Sequence, residues 1–283
     1  MNVTAGSRRW GRVPAAGACE ACGAYLRRSG IDIARWDHVV ALAGNPNTGK
    51  STLFNALTGL RQHTGNWPGK TVTRAEGGFQ YRGKRYKLVD LPGTYSLLTA
   101  TVDEAIARDF ILFGRPDCTV VTVDATCLER NLNLVLQVLE ITDKAVVALN
   151  LIDEARRKGI EVDARQLARD LGVPVVPTVA KTGQGLSGLL EAIADVAGGK
   201  VRTQPRRIPV AASLQPAVAE LANLLEQAYP ALPNVRWVAM RLLDDDESVR
   251  QALLDGELAE LAEQGTFPVA DRGPEPTLAD VEA

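Results

Sequence analysis

The chain has 283 residues, 46% apolar and 23% charged, with a formal net charge of −2. This composition suits a globular protein of one or two domains and excludes a strongly basic nucleic-acid binder. Four cysteines make no disulfide scaffold, and the basic N-terminus lacks the apolar core of a signal peptide. No apolar run reaches the roughly 20 residues a membrane helix needs. A soluble cytoplasmic chain is expected, reaching the inner face of the cell membrane only through a partner.

Residues 1–36 form an extension that carries Cys19-Glu20-Ala21-Cys22. Two thiolates are half of a tetrahedral metal site, and no spacing ties His38 or His63 to them. Solvated thiols, a Zn²⁺ or Fe²⁺ site completed by another chain, and a redox pair all stay open. From His38 onward, short β-rich runs alternate with helical patterns, the signature of an α/β fold. Six strands are expected at 39–43, 78–81, 85–90, 119–124, 145–150 and 173–178. Residues 81–85 read as a hairpin turn, which makes the second and third of these antiparallel. Helical patterns fall at 50–58, 103–113, 128–141, 164–171 and 186–196. Cys118 and Cys127 lie in or beside the fourth expected strand and read as structural.

A Gly-, Arg- and Pro-bearing stretch at 198–209 reads as a linker. Beyond it, Leu214, Val218, Leu221, Leu224 and Leu225 recur at helical spacing. Further helices are expected at 236–243 and 247–254, with Asp244-Asp245-Asp246 placed to cap the last. From Gln264 the chain is acidic and poor in large apolar residues, so disorder is expected there. The expected domains are therefore 1–36, an α/β domain at 37–198, a small all-α domain at 199–263, and a tail at 264–283.

Gly44-Asn45-Pro46-Asn47-Thr48-Gly49-Lys50-Ser51 matches the phosphate-binding P-loop pattern between a strand and a helix, with Thr52 next in the helix. Its glycines let backbone N–H groups turn toward phosphates, and the helix N-terminus adds positive potential. Lys50 would reach the β- and γ-phosphates, and the Ser51 hydroxyl would ligate Mg²⁺. Asp90-Leu91-Pro92-Gly93 ends a strand; Asp90 can hold a Mg²⁺-bound water and the Gly93 N–H can touch the γ-phosphate. Asn150-Leu151-Ile152-Asp153 ends another. A carboxylate at Asp153 can accept from guanine N1–H and its amine, while adenine would leave it unpaired. Val179-Ala180-Lys181 would bring the Ala180 N–H to the guanine carbonyl. These motifs imply GTP/GDP as ligand and a Ras-like P-loop GTPase fold: a mostly parallel six-stranded sheet flanked by helices, followed by the small helical domain.

Residues 63–73 are polar, Gly/Pro-bearing and without periodicity, as a mobile segment that completes Mg²⁺ coordination should be. Within Gly69-Lys70-Thr71-Val72-Thr73 the hydroxyl chosen is Thr71, with Thr73 the alternative.

Together with Gly65-Asn66-Trp67-Pro68-Gly69-Lys70-Thr71-Val72, Asp90-Leu91-Pro92-Gly93-Thr94-Tyr95-Ser96-Leu97, and Asp124-Ala125-Thr126 followed by Leu128-Glu129-Arg130-Asn131-Leu132, these motifs resemble the cytosolic G domain of the bacterial ferrous-iron transporter family FeoB. The resemblance runs from about residue 37 to about residue 261. It implies slow GTP hydrolysis stimulated by K⁺, with Asn47 helping to hold K⁺ beside the phosphates and Lys50, Asn47, Thr71 and Gly93 carrying catalysis. A cation there would offset charge developing between the β- and γ-phosphates. Thr94 stands where other GTPases place a water-orienting Gln or His. The helices after residue 198 resemble the family's helical domain, which affects GDP retention and couples to the membrane part. The implied partner is an iron permease, in cis or as a separate subunit, through which the chain could oligomerise. Two competing readings are a ribosome-assembly or tRNA-modifying GTPase, disfavoured by the acidic tail, and a non-hydrolysing GTP/GDP-binding scaffold.

Overall fold

Three buried apolar runs set the centre of the molecule: β1 (His38–Gly44), β5 (Cys118–Asp124) and β6 (Ala145–Asn150), each with nearly every residue buried. Strands covered on both faces read this way, without the alternation of a half-exposed sheet. The computed structural model describes residues 25–259 apart from 60, 61, 99, 100, 208, 231, 233 and 257. Cys19, Cys22 and the acidic tail lie outside the described residues.

The sheet also contains β2 (Gln62–Asn66), β3 (Thr73–Tyr81), β4 (Lys84–Asp90) and β7 (Val175–Pro177), in the order β2-β3-β4-β1-β5-β6-β7. Strands β4, β1, β5, β6 and β7 are parallel, and β2-β3-β4 are antiparallel. The described residues thus hold seven strands where the sequence pattern predicts six. The added strand comes from the segment expected to be a mobile loop: Gln62 to Asn66 pair with Gly77 to Thr73 along the sheet edge. Ladder hydrogen bonds supply what a polar sequence with Gly and no apolar alternation does not advertise. The expected hairpin forms, turning at Arg82 and Gly83, both with positive φ, as a two-residue hairpin requires.

Helices α1 (Lys50–Thr58) and α6 (Leu186–Ala197) cover one face, burying Leu53, Phe54, Leu189 and Ile193. The other face is covered by α2 (Val102–Gly114) and α3 (Leu128–Ile141). Two short helices, α4 (Ile152–Arg157) and α5 (Ala164–Leu171), complete the α/β part. Helix α4 has no periodic signal of its own; it follows the guanine-type motif with Leu151 in the left-handed region at φ 59°.

Helices α7 (Gln215–Ala228), α8 (Val235–Leu243) and α9 (Glu247–Leu254) follow. Their buried residues Val218, Leu225, Trp237 and Val238 join the same apolar cluster as α2 and α3. Arg236 pairs with Glu140 of α3 at 3.0 Å, and the stretch expected as a linker is tied down where Arg207 meets Asp143 at 2.6 Å. Residues 25–36 are also docked, since Leu26 and Ile31 are each 1% exposed within this cluster. No described helix is long and apolar enough to cross a membrane.

Candidate nucleotide site

Three loops from the carboxyl ends of β1, β4 and β6 meet at one edge of the sheet, where α/β folds bind ligands. The first runs from Gly44 to Lys50. The Thr48 hydroxyl donates to the Asn45 carbonyl at 2.9 Å, closing the loop on itself. Asn47 (φ 65°) and Gly49 (φ 80°) turn the chain into α1. Gly49 is also a steric requirement: a Cβ there would lie 2.4 Å from the Asn150 amide nitrogen. Ser51 and Thr52 begin α1 with exposed side chains, as do Pro46 and Asn47 in the loop.

The second loop is joined to the first by charge. Lys50 Nζ lies 2.5 Å from Asp90 Oδ1 and donates to the Leu91 carbonyl at 2.7 Å. Burial pushes the Asp90 carboxyl above the ordinary carboxylate range, against the pull of the Lys50 ammonium. Beyond Pro92, Gly93 lies close to Pro46, and the Thr94 N–H reaches the Gly44 carbonyl at 3.3 Å. The Thr94 hydroxyl donates to the Ser96 carbonyl at 2.7 Å, so this side chain is committed to its own loop.

The third loop centres on Asn150, which is fully buried. Its amide donates to the Thr48 carbonyl at 2.9 Å, and its oxygen accepts from the Ala180 N–H at 3.0 Å and the Thr178 hydroxyl at 3.3 Å. One side chain thereby joins the P-loop to the 179–181 loop. Val179 and Ala180 are buried and Lys181 is exposed. Asp153 is half exposed, yet its Oδ1 is a buried acceptor with no donor among the described residues. Its Oδ2 lies 3.6 Å from Arg157. An unsatisfied acceptor in this loop suits a ligand that brings N–H donors.

Contacts therefore bring together 44–52, 90–94, 150–153 and 179–181. No side-chain hydrogen bond or ion pair among the described residues joins the 69–73 segment to them, although Ala75, two residues on, pairs with Asp90; Gly69, Lys70, Thr71 and Thr73 are exposed, with Val72 half-buried. The loop is closed on itself by hydrogen bonds between Trp67 N and Val72 O and between Lys70 N and Trp67 O, each 3.0 Å.

Sequence reasoning gave no role to several residues that shape this edge. Gln137 accepts from the Leu97 N–H at 2.6 Å and fixes the chain after Gly93 to α3. Asn131 is buried, accepting from Asp124 N and donating to the Cys127 carbonyl at 2.9 Å, which explains the Asn in the Leu-Glu-Arg-Asn motif. Cys118 is buried in β5, whereas Cys127 is exposed.

Residues 38–193 match the family described as Ferrous iron transport protein B, and residues 211–266 match the FeoB cytosolic helical domain. The chain belongs to the ferrous iron transport protein B (FeoB) family. An Fe(2+) transporter FeoB of Salmonella typhimurium strain LT2 is 39% identical over 246 residues, covering 84% of this chain and 31% of the relative. The Escherichia coli K12 transporter of that name is 42% identical over 211 residues, covering 73% of this chain and 27% of the relative. The chain thus spans less than a third of the length of these FeoB relatives. Among solved structures, the cytosolic domain of T. maritima FeoB in apo form is 35% identical with a TM-score of 0.71, covering 81% of this chain and 94% of that one. The T. maritima FeoB G domain is 47% identical with a TM-score of 0.54, covering 56% and 98%.

Proposed function

We propose that this FeoB-family chain binds GTP and GDP at the 44–52, 90–94, 150–153 and 179–181 edge. In this reading it hydrolyses GTP slowly with stimulation by K⁺, as the cytoplasmic regulatory part of a ferrous-iron membrane transport system. The observation that carries the nucleotide reading is Asn150, whose single amide ties the phosphate loop to both parts of the base-recognition edge. Solved structures of the T. maritima FeoB cytosolic domain in GDP and GMPPNP forms support it, at 35% identity and TM-scores of 0.70.

Lys50 has two roles in this scheme. Without phosphate its ammonium is held by Asp90 and Leu91; a β,γ-phosphate offers it a stronger anionic partner. Ser51 and Asp90 would supply hard oxygen donors for Mg²⁺, whose charge would offset that of the phosphates. Thr71, or Thr73, would complete that set once its loop moves. Asn47, exposed and with a positive φ, would help hold K⁺ beside the phosphates. Because the Thr94 hydroxyl is already engaged, orientation of the attacking water falls to backbone groups and the cation site, and turnover is slow. The iron-permease partner rests on family membership.

Phosphate release from GTP, measured in K⁺ and in Na⁺ for the wild type and Asn47→Ala, tests this reading. Faster release in K⁺ that Asn47→Ala abolishes is the expected result. Tight GDP and GTP binding with no turnover in either salt would leave a non-hydrolysing switch instead.

A further inference from the structure

Arg74 is buried on β3, beside the 67–73 loop, and two of its partners are carbonyls from outside the family-matched domain. Its Nη1 donates to the Ser29 carbonyl and its Nη2 to the Gly30 carbonyl at 3.1 Å. Its Nε pairs with Glu76 at 2.7 Å, and its guanidinium sits 5.4 Å from the centre of the Trp67 ring. A buried guanidinium is tolerated only when so satisfied.

The two carbonyls belong to a rigid turn. Ile31 N bonds to Leu26 O and Gly30 N to Arg27 O, with Gly30 at φ 73°. That is a glycine-terminated helix end of the Schellman type, with its Leu26–Ile31 apolar pair buried. The same turn rests on α2, where Tyr25 meets the Phe113 ring at 5.9 Å, and Trp67 meets Phe110 at 5.7 Å.

We propose that Arg74 is a positioning residue of the nucleotide cycle, anchored by residues 25–31, which holds the 67–73 loop against α2 with Thr71 exposed to solvent. This rests on the nucleotide reading above, in which Thr71 must reach the site for GTP but not for GDP. The anchored loop is then a conformational restraint on GTP binding alone. Weakening the anchor removes that restraint and favours the triphosphate state.

The test uses the full chain and measures Kd for GDP and for GMPPNP, with trypsin cleavage after exposed Lys70 as a report on the loop. Gly30→Val strains the turn and sets a Cβ 3.4 Å from Arg74 Nη2; Gly30→Ala is the milder alternative if that variant does not fold. Arg74→Ala removes the clasp, and Arg74→Lys restores part of it. Weakened variants are expected to keep their GDP affinity, shift the GDP-to-GMPPNP Kd ratio about tenfold toward GMPPNP, and cleave faster after Lys70. Equal loss of both nucleotides, or an unchanged ratio with both bound, would overturn the proposal. A wild-type chain that binds neither nucleotide would overturn the nucleotide reading and this inference with it.

Discussion

Asn150 donates its side-chain amide to the Thr48 carbonyl at 2.9 Å across 102 residues of chain, while its oxygen accepts from the Ala180 N–H. Because Asn150 is fully buried, water cannot replace these bonds. Asn150→Ala strands a carbonyl and an N–H, each left unsatisfied at about 1–3 kcal/mol. GDP affinity is expected to fall at least about tenfold, with a lower Tm for the nucleotide-free chain. Gly49→Ala should do the same through the clash with that amide and its φ of 80°. Calorimetric titration with GDP and thermal unfolding check both; wild-type affinity in Asn150→Ala would remove it from the site.

Asp153 presents an acceptor that nothing in the described residues satisfies. Asp153→Asn replaces one acceptor with a donor and should disfavour guanine while accepting xanthine, whose ring carries a carbonyl in place of the amine. A charged hydrogen bond is worth about 1.5–3 kcal/mol, so GTP binding should weaken roughly tenfold to a hundredfold. Competition between GTP and XTP against a fluorescent nucleotide measures it. An unchanged preference for GTP would rule out this role.

Much of this site was legible because its motifs sit at strand ends, where a short pattern and its context reinforce each other. Lys50, Asp90 and Asn150 are set by local turns, and those turns follow from Gly49 and the strand boundaries. The 62–66 strand was not legible, since an edge strand paired through its backbone needs no apolar alternation. Arg74 was missed for a different reason. Its burial is a tertiary fact, created by carbonyls 44 and 45 residues away, and an isolated Arg in a polar segment reads as exposed. Thr94 was legible as a departure, but only the structure shows its hydroxyl bonded to Ser96.

The cysteines should separate by reactivity. Burial drives the Cys118 thiol far above its ordinary range, so its thiolate is absent near neutral pH. Cys127 is exposed, but partial burial and then its contact with Asp124 raise its pKa as well. A raised pKa means less thiolate at a given pH, so Cys127 should label slowly at neutral pH and faster as pH rises. Ellman's reagent on the native chain should leave Cys118 unlabelled until denaturant is added. A rapid phase of two thiols would then belong to Cys19 and Cys22. Its absence until a chelator is added would favour a metal-bound pair.

The two parts of the chain meet through charge at Arg108 and Asp246. Arg108, on α2, has a fully buried side chain and contacts both Asp246 oxygens at 3.2 Å. Asp246 also caps α9, accepting from Val249 N at 3.3 Å. Arg108 also donates to Asp109 at 2.8 and 2.9 Å, so losing Asp246 leaves it partly compensated, at a cost below the ~3–5 kcal/mol of a fully broken buried pair. For a chain of this size, Asp246→Ala should therefore lower Tm by roughly 2–8 °C. Helix α2 follows the 90–98 loop that packs on the P-loop, so the loss should also reach the nucleotide: GDP release, followed with a fluorescent analogue, is expected to quicken several-fold. Asp246→Asn keeps a cap oxygen but not the charge and should fall between wild type and alanine. If both variants unfold and release GDP as the wild type does, the Arg108–Asp246 pair does not couple the helical part to the nucleotide edge.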